Sequence, residues 1–349
     1  QVTVKAAADG AGNYGEATAK YVLKITKGDL AIPAEDATYT YGQTPEDLEA
    51  YAEDIGATLT GAPTAATQPT GTLAYQFYDT EQNAQAGGDT GKIDPPTDQS
   101  TYYLRITYPG DVNYNQASTV VKVTIQAVGV TPIVTGHTGD YDGNPHLAAT
   151  FQVTDANNKT LTLGKDYTLT ITKGEDKWED IGSLEDIPQV ENFADSGEYS
   201  YTIHFTTGNY GDAIPGTFEV TIDRLPLTIT PTLSNGTKEY DGDADFDTDK
   251  ITETAVTGTI TGEDLTAKVQ SATYNSKNVS AANQVTITYT LSGDGVNLDN
   301  YTYDDKEIPA DGQVTVEVKS TDEMPIEITP KPIEVTAITA TGPVYDGTK

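Results

Sequence analysis

The chain is 349 residues long and carries 53 acidic residues against 20 basic ones, so its formal net charge is −33. This balance argues against nucleic acid and anionic membrane surfaces as partners, because no basic patch can form to meet their phosphates, whereas divalent cations and cationic partners are compatible with it. The chain has no cysteine, which excludes disulfides, thiol catalysis and cysteine-type zinc sites.

The composition indicates neither a membrane-inserted segment nor a specific function for the negative charge. No apolar run of about 18 residues predicts a segment that inserts into a membrane. We interpret the acids as a solvated surface that keeps an exposed protein soluble.

Two short motifs recur about once every hundred residues, which is typical of a tandem array of modules. We call them the tyrosine-glycine marker and the asparagine-tyrosine marker. The first has clear copies at Tyr141-Asp142-Gly143, Tyr240-Asp241-Gly242 and Tyr345-Asp346-Gly347, and a diverged copy at Tyr41-Gly42-Gln43. The second runs in phase with it, at Gly12-Asn13-Tyr14, Val112-Asn113-Tyr114, Gly208-Asn209-Tyr210 and Asp299-Asn300-Tyr301.

Apolar residues alternate with polar ones at a period of two, which indicates strands with one buried and one solvated face. In chain order the alternating sets are Tyr21/Leu23/Ile25, Val121/Val123/Ile125, Tyr199/Tyr201/Ile203/Phe205, Phe218/Val220/Ile222, Val285/Ile287/Tyr289 and Val314/Val316/Val318. A helix is predicted only at residues 45–55, with Pro45 near its first turn. Many short strands separated by turn residues predict β-sandwiches.

The phase of the markers gives the predicted module boundaries. Residues 29–128, 129–224 and 225–332 form three complete modules, which we call the first, middle and third modules. Residues 1–28 are the last strands of a truncated module and residues 333–349 begin another, so we expect an excerpt of a longer protein. No Gly/Ser spacer separates the modules, which predicts a semi-rigid, elongated rod.

The order of these landmarks resembles the tandem immunoglobulin-like repeats of bacterial surface proteins, of the YDG and MBG types. The middle module follows that pattern from Tyr141 through Tyr167 and Tyr199 to Phe218. The third module, with Lys238-Glu239-Tyr240-Asp241-Gly242 and the exit Ile328-Thr329-Pro330-Lys331-Pro332, resembles the YDG type, and the first module the MBG type. The resemblance implies immunoglobulin-like sandwiches in secreted or cell-wall proteins, often adhesin stalks, with no catalytic residues to carry over.

Two tyrosines follow an aspartate by four residues at the start of a predicted strand. Tyr199 follows Asp195, and Tyr102 follows Asp98. Immunoglobulin sandwiches use such a tyrosine as a corner that bonds back to the backbone, so we expect both to be structural.

Four alternating aspartates, Asp241, Asp243, Asp245 and Asp247, form the sharpest metal candidate. Carboxylates at this spacing can converge on calcium as in an EF-hand loop, and calcium is the only cofactor that the sequence suggests. The match is poor, because the glycine and the final glutamate of that loop have no counterparts here. A solvated turn followed by an acidic strand edge explains the same residues.

Trp178 lies in a long polar insertion, residues 174–187, which we predict to be a loop. A tryptophan can offer a flat platform to a carbohydrate or a protein, and function concentrates on loops. The same residue could instead cover one end of the sandwich core. The loop is the predicted ligand-binding site if the chain binds anything itself.

Other combinations of reactive residues are weaker. His137 and His146 flank the Tyr141 turn and could approach each other, but no third ligand is evident for a metal. Lys268, Lys277 and Asn278 are candidates for an isopeptide crosslink, which would need a buried acid beside them.

These observations predict a non-catalytic structural stalk of a secreted or cell-wall-anchored bacterial surface protein, with a distal binding region. Two alternatives stay open. One is a module that binds a host or matrix glycan or protein around Trp178. The other is a fibre subunit that assembles by strand exchange through residues 1–28 and 333–349.

Overall fold

The computed structural model describes residues 2–6, 17–63, 68–339, 342 and 347. It divides the chain into two compact units. One comprises Gln1–Ile133, Gln152–Leu169 and Thr202–Ile214, and the other comprises Val134–Phe151, Thr170–Tyr201 and Pro215–Lys349. The predicted module boundaries stay predictions. The markers at Asn13-Tyr14 and at Tyr345-Asp346 lie outside the described residues.

The described part of the first 128 residues contains two short strands near the start, one five-stranded sheet and two helices. The sheet has the order β3-β7-β6-β4-β5. The elements are β1 (Val2–Ala6), β2 (Ala17–Tyr21), β3 (Ala37–Thr40), α1 (Leu48–Ile55), β4 (Ala74–Tyr78), α2 (Glu81–Ala86), β5 (Lys92–Ile93), β6 (Ser100–Tyr108) and β7 (Ala117–Gln126).

Residues 129–224 form a second five-stranded sheet, of order β13-β12-β15-β16-β9, together with the strand pairs β8–β11 and β10–β14. The strands are β8 (Val130–Gly136), β9 (Thr138–Asp140), β10 (His146–Leu147), β11 (Ala149–Asp155), β12 (Tyr167–Lys173), β13 (Asp176–Ile181), β14 (Gln189–Val190), β15 (Gly197–Phe205) and β16 (Ile214–Asp223). Short 3-10 turns lie at Leu184–Asp186, Phe193–Asp195 and Gly208–Tyr210.

Residues 225–332 form a three-stranded sheet, β20-β21-β24, a four-stranded sheet, β19-β17-β22-β23, and the pair β18–β25. The strands are β17 (Leu225–Leu233), β18 (Gly236–Glu239), β19 (Ile251–Thr257), β20 (Thr266–Tyr274), β21 (Gln284–Ser292), β22 (Tyr301–Tyr303), β23 (Lys306–Glu307), β24 (Gln313–Lys319) and β25 (Ile326–Thr329). Short 3-10 turns lie at Thr248–Lys250 and Leu298–Asn300.

The predicted all-β sandwich fold is confirmed. In the third module the Tyr289 hydroxyl on β21 lies 3.1 Å from the Thr254 hydroxyl on β19, which joins the two sheets across the core. In the middle module the ring of Phe151 on β11 packs edge-on against Tyr201 of the facing sheet, with centroids 5.5 Å apart. Apolar side chains at alternate strand positions therefore meet between sheets, as their period requires.

The alternating sets of the longer strands are buried as predicted, except that Phe205 and Val318 at the strand ends are half-buried. Their central members, Val123, Ile203, Val220 and Ile287, are all fully buried. The set Tyr21/Leu23/Ile25 was predicted wrongly, because all three are exposed and β2 ends at Tyr21. In the described part of residues 1–28 the strands are β1 and β2, which form an antiparallel pair, and a two-stranded sheet alone offers no second sheet against which a face could be buried.

The predicted helix exists but begins later than expected. Asp47 caps α1 by accepting a hydrogen bond from the Ala50 N–H at 2.9 Å, and Tyr51 buries its ring against Phe77. A second helix, α2, was missed. The Thr80 hydroxyl caps its start and Gly87 ends it with a φ of 69°, so both signals were present in the sequence.

Both tyrosine corners form as predicted. The hydroxyls of Tyr102 and Tyr199 donate to the backbone carbonyls of Asp98 and Asp195, each at 3.0 Å. Burial raises the pKa of Tyr199 to about 12, with Asp195 adding to the shift. Each corner fixes the turn that leads into a central strand, β6 or β15.

Candidate functional site at the module junctions

The tyrosine of the tyrosine-glycine marker occupies the same position in all three predicted modules. The strand before it pairs in parallel with the closing strand of its own module: β3 with β7, β9 with β16, and β18 with β25. Each tyrosine N–H then donates to the closing strand, in the bonds Tyr41 to Gln126 O (2.8 Å), Tyr141 to Asp223 O (2.9 Å) and Tyr240 to Thr329 O (2.9 Å). The marker therefore places one tyrosine beside the chain's exit from each module.

The asparagine of the asparagine-tyrosine marker is buried in the copies at Asn209 and Asn300, whereas Asn113 is exposed. Among the described residues the buried polar side chains are Asp155, Asn209 and Asn300, and two of these three belong to the marker. A buried amide costs free energy unless its donors and acceptors are paired, so its partners report what the site does.

At the first junction, Asn209 of the middle module reaches the corner turn of the first module. Its Oδ1 accepts the Gln99 backbone N–H at 2.6 Å, and its Nδ2 donates to Asp98 Oδ1 at 2.9 Å. The neighbouring Tyr210 ring packs edge-on against the ring of Tyr41, with centroids 5.7 Å apart. The two markers of adjacent predicted modules therefore meet.

Lys159 and Asn157 complete the first junction. The Lys159 ammonium donates to the Tyr210 hydroxyl at 2.7 Å, and this bond raises the pKa of Lys159. Asn157 donates to the Tyr41 carbonyl at 3.1 Å and accepts from the Gln43 side chain at 2.9 Å. Asp98, Gln99 and Lys159 are exposed, so this junction is open to water at its edge.

At the second junction, Asn300 of the third module makes the same pair of bonds to the middle module. Its Oδ1 accepts the Phe193 backbone N–H, and its Nδ2 donates to Asn192 Oδ1, both at 2.9 Å. The Tyr301 ring packs edge-on against Tyr141, with centroids 5.8 Å apart and an interplanar angle of 81°. The second junction thus repeats the geometry of the first.

A carboxylate joins the two tyrosines of the second junction. Glu263 accepts one hydrogen bond from the Tyr141 hydroxyl, at 2.5 Å, and another from the Tyr301 hydroxyl through its second oxygen. Burial, and then the hydrogen bond to Glu263, raise the pKa of Tyr141 to about 12, and the same two causes raise the pKa of Tyr301. Both phenols therefore stay protonated and donate to the carboxylate.

Arg224 adds a further contact at the second junction. Its guanidinium carbon lies 3.5 Å from the ring centre of Phe193, and its Nε donates to the Asp299 carbonyl at 2.7 Å. A cation placed over an aromatic face is attracted by the ring, which fixes the turn that Asn300 also binds.

At both junctions, the next module packs closely against the glycine of the tyrosine-glycine marker. A Cβ on Gly42 would lie 2.8 Å from the Asn157 side-chain nitrogen, and one on Gly143 would lie 2.3 Å from Ile260 Cδ1. Both glycines also have positive φ, 79° and 71°, which other residues rarely adopt. The close approach of Asn157 and Ile260 to these glycines was not predicted from the sequence.

The acid loop is organised around a lysine. The Lys238 ammonium lies 2.9 Å from Asp241 Oδ1 and 2.6 Å from Asp243 Oδ1, and it also donates to the Asp245 carbonyl. The bond to Lys238 lowers the pKa of Asp241. Asp247 instead caps the turn that follows, accepting the Asp249 N–H at 3.1 Å. Within the described ranges, no three metal-binding side chains are grouped to hold an ion, and the calcium site stays a prediction that would require Lys238 to leave.

Trp178 lies on a strand rather than in the predicted loop. Gly174 and Glu175 form a tight turn, and β13 then runs along the edge of the five-stranded sheet. Charged neighbours on both sides of Trp178 concealed the strand in the sequence. The tryptophan is half-buried, with Lys177 and Glu179 exposed beside it. Its role in ligand binding stays a prediction.

The remaining candidates are structural or exposed. His137 and His146 do approach each other, with stacked rings 4.3 Å apart, and His146 pairs with Asp142 at 3.1 Å. Burial, with the neighbouring His146, lowers the pKa of His137. The crosslink candidates Lys268, Lys277 and Asn278 are all exposed, so they do not form the buried set that an isopeptide bond needs.

Residues 223–310 match the YDG domain model. No curated protein sequence matches the chain. Over the part of the chain that the structure describes, no helix is long and apolar enough to cross a membrane.

Several solved structures of tandem β-domains are similar to the chain at low identity. The three N-terminal domains of the bacteriophage RB49 highly immunogenic outer capsid protein match 86% of this chain and 99% of that one, at 12% identity and a TM-score of 0.29. Domains 1–6 of the surface layer protein SbsC match 95% and 45%, at 14% identity and a TM-score of 0.27. Cadherin-like domains 1 to 4 of zebrafish RET match 84% and 71%, at 10% identity and a TM-score of 0.23.

Proposed function

We propose that this chain is a non-catalytic structural stalk of a secreted or cell-wall-anchored bacterial surface protein, and that it holds a distal binding region away from the surface. The observation that carries the proposal is the repeated junction, in which a buried asparagine and a tyrosine of one module fasten onto the module before it. A spacer needs joints that resist bending, and these bonds supply them.

The hydrogen bonds at the junctions support a mechanical role for the chain. Asn209 and Asn300 each pair both ends of a buried amide across a joint, so bending the joint would break these hydrogen bonds, and at Asn300 it would leave polar groups away from water. The charge of −33 keeps neighbouring stalks apart and soluble. The partners of each module are then its neighbours in the same chain.

Stretching the full chain between a bead and a surface tests the stalk proposal. We expect stiff extension until modules unfold one at a time in discrete steps. The double variant Asn209→Ala/Asn300→Ala should add a soft, reversible extension at low force, before the first step. Soft extension of the unmodified chain would contradict the proposal, because its joints would already be hinges.

A second function is supported by the position of Trp178. A half-buried tryptophan on an edge strand offers part of its flat face to a glycan or a protein. We expect binding of the chain to an array of glycans and matrix proteins, with or without calcium, to disappear in Trp178→Ala and to persist in Tyr21→Ala, which removes an exposed aromatic elsewhere. Binding that survives Trp178→Ala would rule out this site.

A further inference from the structure

We propose that the exit face of the third module, around Tyr240, is a docking surface for the asparagine-tyrosine corner of a following immunoglobulin-like module. We call this surface the Tyr240 face; it is formed by Tyr240, Val279, Pro330, Lys331, Pro332, Ile333 and Glu334. The inference rests on the proposed stalk function and extends the junction geometry to a surface that no described module covers.

Tyr240 has the same backbone placement as the two tyrosines that are already docked. Its N–H donates to the last residue of β25, just as Tyr41 and Tyr141 donate at the ends of their own closing strands. The parallel pairing of β18 with β25 matches that of the two preceding modules. The tyrosine-glycine marker therefore presents its side chain at the same exit from the third module.

Over the described residues, the Tyr240 face is less covered than the exit around Tyr141. The side chain of Tyr240 is 38% exposed, whereas Tyr141 is 5% exposed under the third module. A Cβ on Gly242 would meet nothing within 4 Å, whereas Gly143 lies against Ile260. The marker residues at this exit thus have the room that a docked module fills elsewhere.

The lining of the Tyr240 face suits an asparagine-tyrosine corner. Tyr240, two prolines and Ile333 form a mainly apolar groove of about 600 Å³, which can take an aromatic ring. Val279 brings in the turn that precedes β21, and the turns before β6 and β15 are the ones that bind Asn209 and Asn300. The tyrosine ring and the asparagine amide of a docked corner would therefore each meet the kind of partner that they have at the two existing junctions.

A duplicated chain tests the proposal. Residues 1–332 are followed by a second copy of residues 227–332, because Pro332 corresponds to Pro226 at the entry of the third module. The appended copy carries Tyr240→Phe, so tyrosine nitration, read by mass spectrometry, reports the exposure of Tyr240 in the first copy alone. We expect nitration of this tyrosine to fall several-fold compared with the parent chain, while the exposed Tyr21 reacts equally in both.

Variants of the appended copy separate docking from mere crowding. Asn300→Ala/Tyr301→Ala in that copy should restore nitration of Tyr240, and Asn300→Asp, which keeps the shape but removes the amide donors, should restore it in part. Circular dichroism checks that the appended copy is folded. Equal nitration in parent and duplicated chains, or protection that survives both variants of a folded copy, would overturn the proposal.

Two further outcomes have a defined meaning. Protection of Tyr240 that rises with the concentration of the parent chain would assign the surface to a second copy of the chain and would overturn docking of a following module. Because the stretching experiment reports only on the two existing junctions, the stalk could fail there while the Tyr240 face still docks a module, and the reverse also holds.

Discussion

The first and second junctions use the same two markers but differ in dryness and charge. At the first, the groups that bind Asn209 are exposed, and an exposed lysine holds the Tyr210 hydroxyl. At the second, Asn192 and Phe193 are half-buried, Tyr301 is fully buried, and one carboxylate takes both tyrosine hydroxyls. The markers therefore set where the modules meet. The residue beside them, Lys159 at the first junction and Glu263 at the second, sets how strongly the modules are held together.

The largest expected effect is that of Asn300→Ala. It leaves the Phe193 N–H without its partner and removes the amide donor to the Asn192 side-chain oxygen in a half-buried turn, which should lower the free energy of local opening by about 2 kcal/mol. Native-state hydrogen exchange should show peptides containing Phe193 opening about 30-fold more often. Asn209→Ala should cost less, because water can replace the amide at Asp98 and Gln99. Equal losses at both junctions would contradict the difference in dryness, and the exposed Asn278→Ala is the control.

Gly143→Ala should come next. The added Cβ would meet Ile260 Cδ1 at 2.3 Å, in a backbone conformation with a φ of 71° that alanine rarely adopts. We expect a loss of about 1–2 kcal/mol from the backbone alone, with a further loss from the clash. Ile260→Val removes the clashing methyl and should recover part of the loss. If Ile260→Val recovers none of it, Gly143 is needed only for its turn.

Glu263→Gln should weaken the second junction by about 1.5 kcal/mol, since two hydrogen bonds to a charged acceptor become weaker neutral ones. Hydrogen exchange around Tyr301 measures the loss. Lys159→Met is the counterpart at the first junction. If Glu263→Gln opened the first junction as much as the second, the effect of Glu263 would not be specific to the second junction.

The hydrogen bonds from Tyr141 and Tyr301 to Glu263 also make the second junction sensitive to alkali. The pKa of Tyr141 is raised from 10.0 to about 12, so its contribution to stability is complete below pH 10 and is lost as the pH rises through 12. Nuclear magnetic resonance of labelled tyrosine should show Tyr141 titrating late in the unmodified chain and earlier in Glu263→Gln. An unchanged titration would mean that burial alone holds the proton.

Lys159→Met should have the smallest effect, below about 1 kcal/mol, because an exposed ammonium gains little from a bond that water can replace. Methionine keeps most of the side-chain packing on Tyr210. Hydrogen exchange at Tyr210 should change little. A loss as large as that of Asn300→Ala would show that the first junction depends on charge after all.

Local patterns in the sequence predicted the fold well and the junctions hardly at all. The alternation around Ile203 and Ile287 reports burial directly, and the spacing of Asp195 and Tyr199 reports a corner, because both depend on residues close in sequence. The meeting of Tyr141 with Tyr301 joins residues far apart, and no local period encodes it. The one available signal was that two tyrosine-bearing markers keep the same phase. Lys238 is a different case, because it lies close in sequence to Asp241 and Asp243 and its pairing with them is a local signal that was missed.

The central claim is that the paired markers hold adjacent modules in one orientation. Because the chain has no cysteine, spin labels can be placed uniquely at Leu184→Cys, in the middle module, and Lys268→Cys, in the third, both at exposed positions. Pulsed electron paramagnetic resonance should give a single narrow distance distribution, which broadens in the Asn300→Ala/Tyr301→Ala background. A distribution that is already broad, or that stays narrow in that background, would contradict the account.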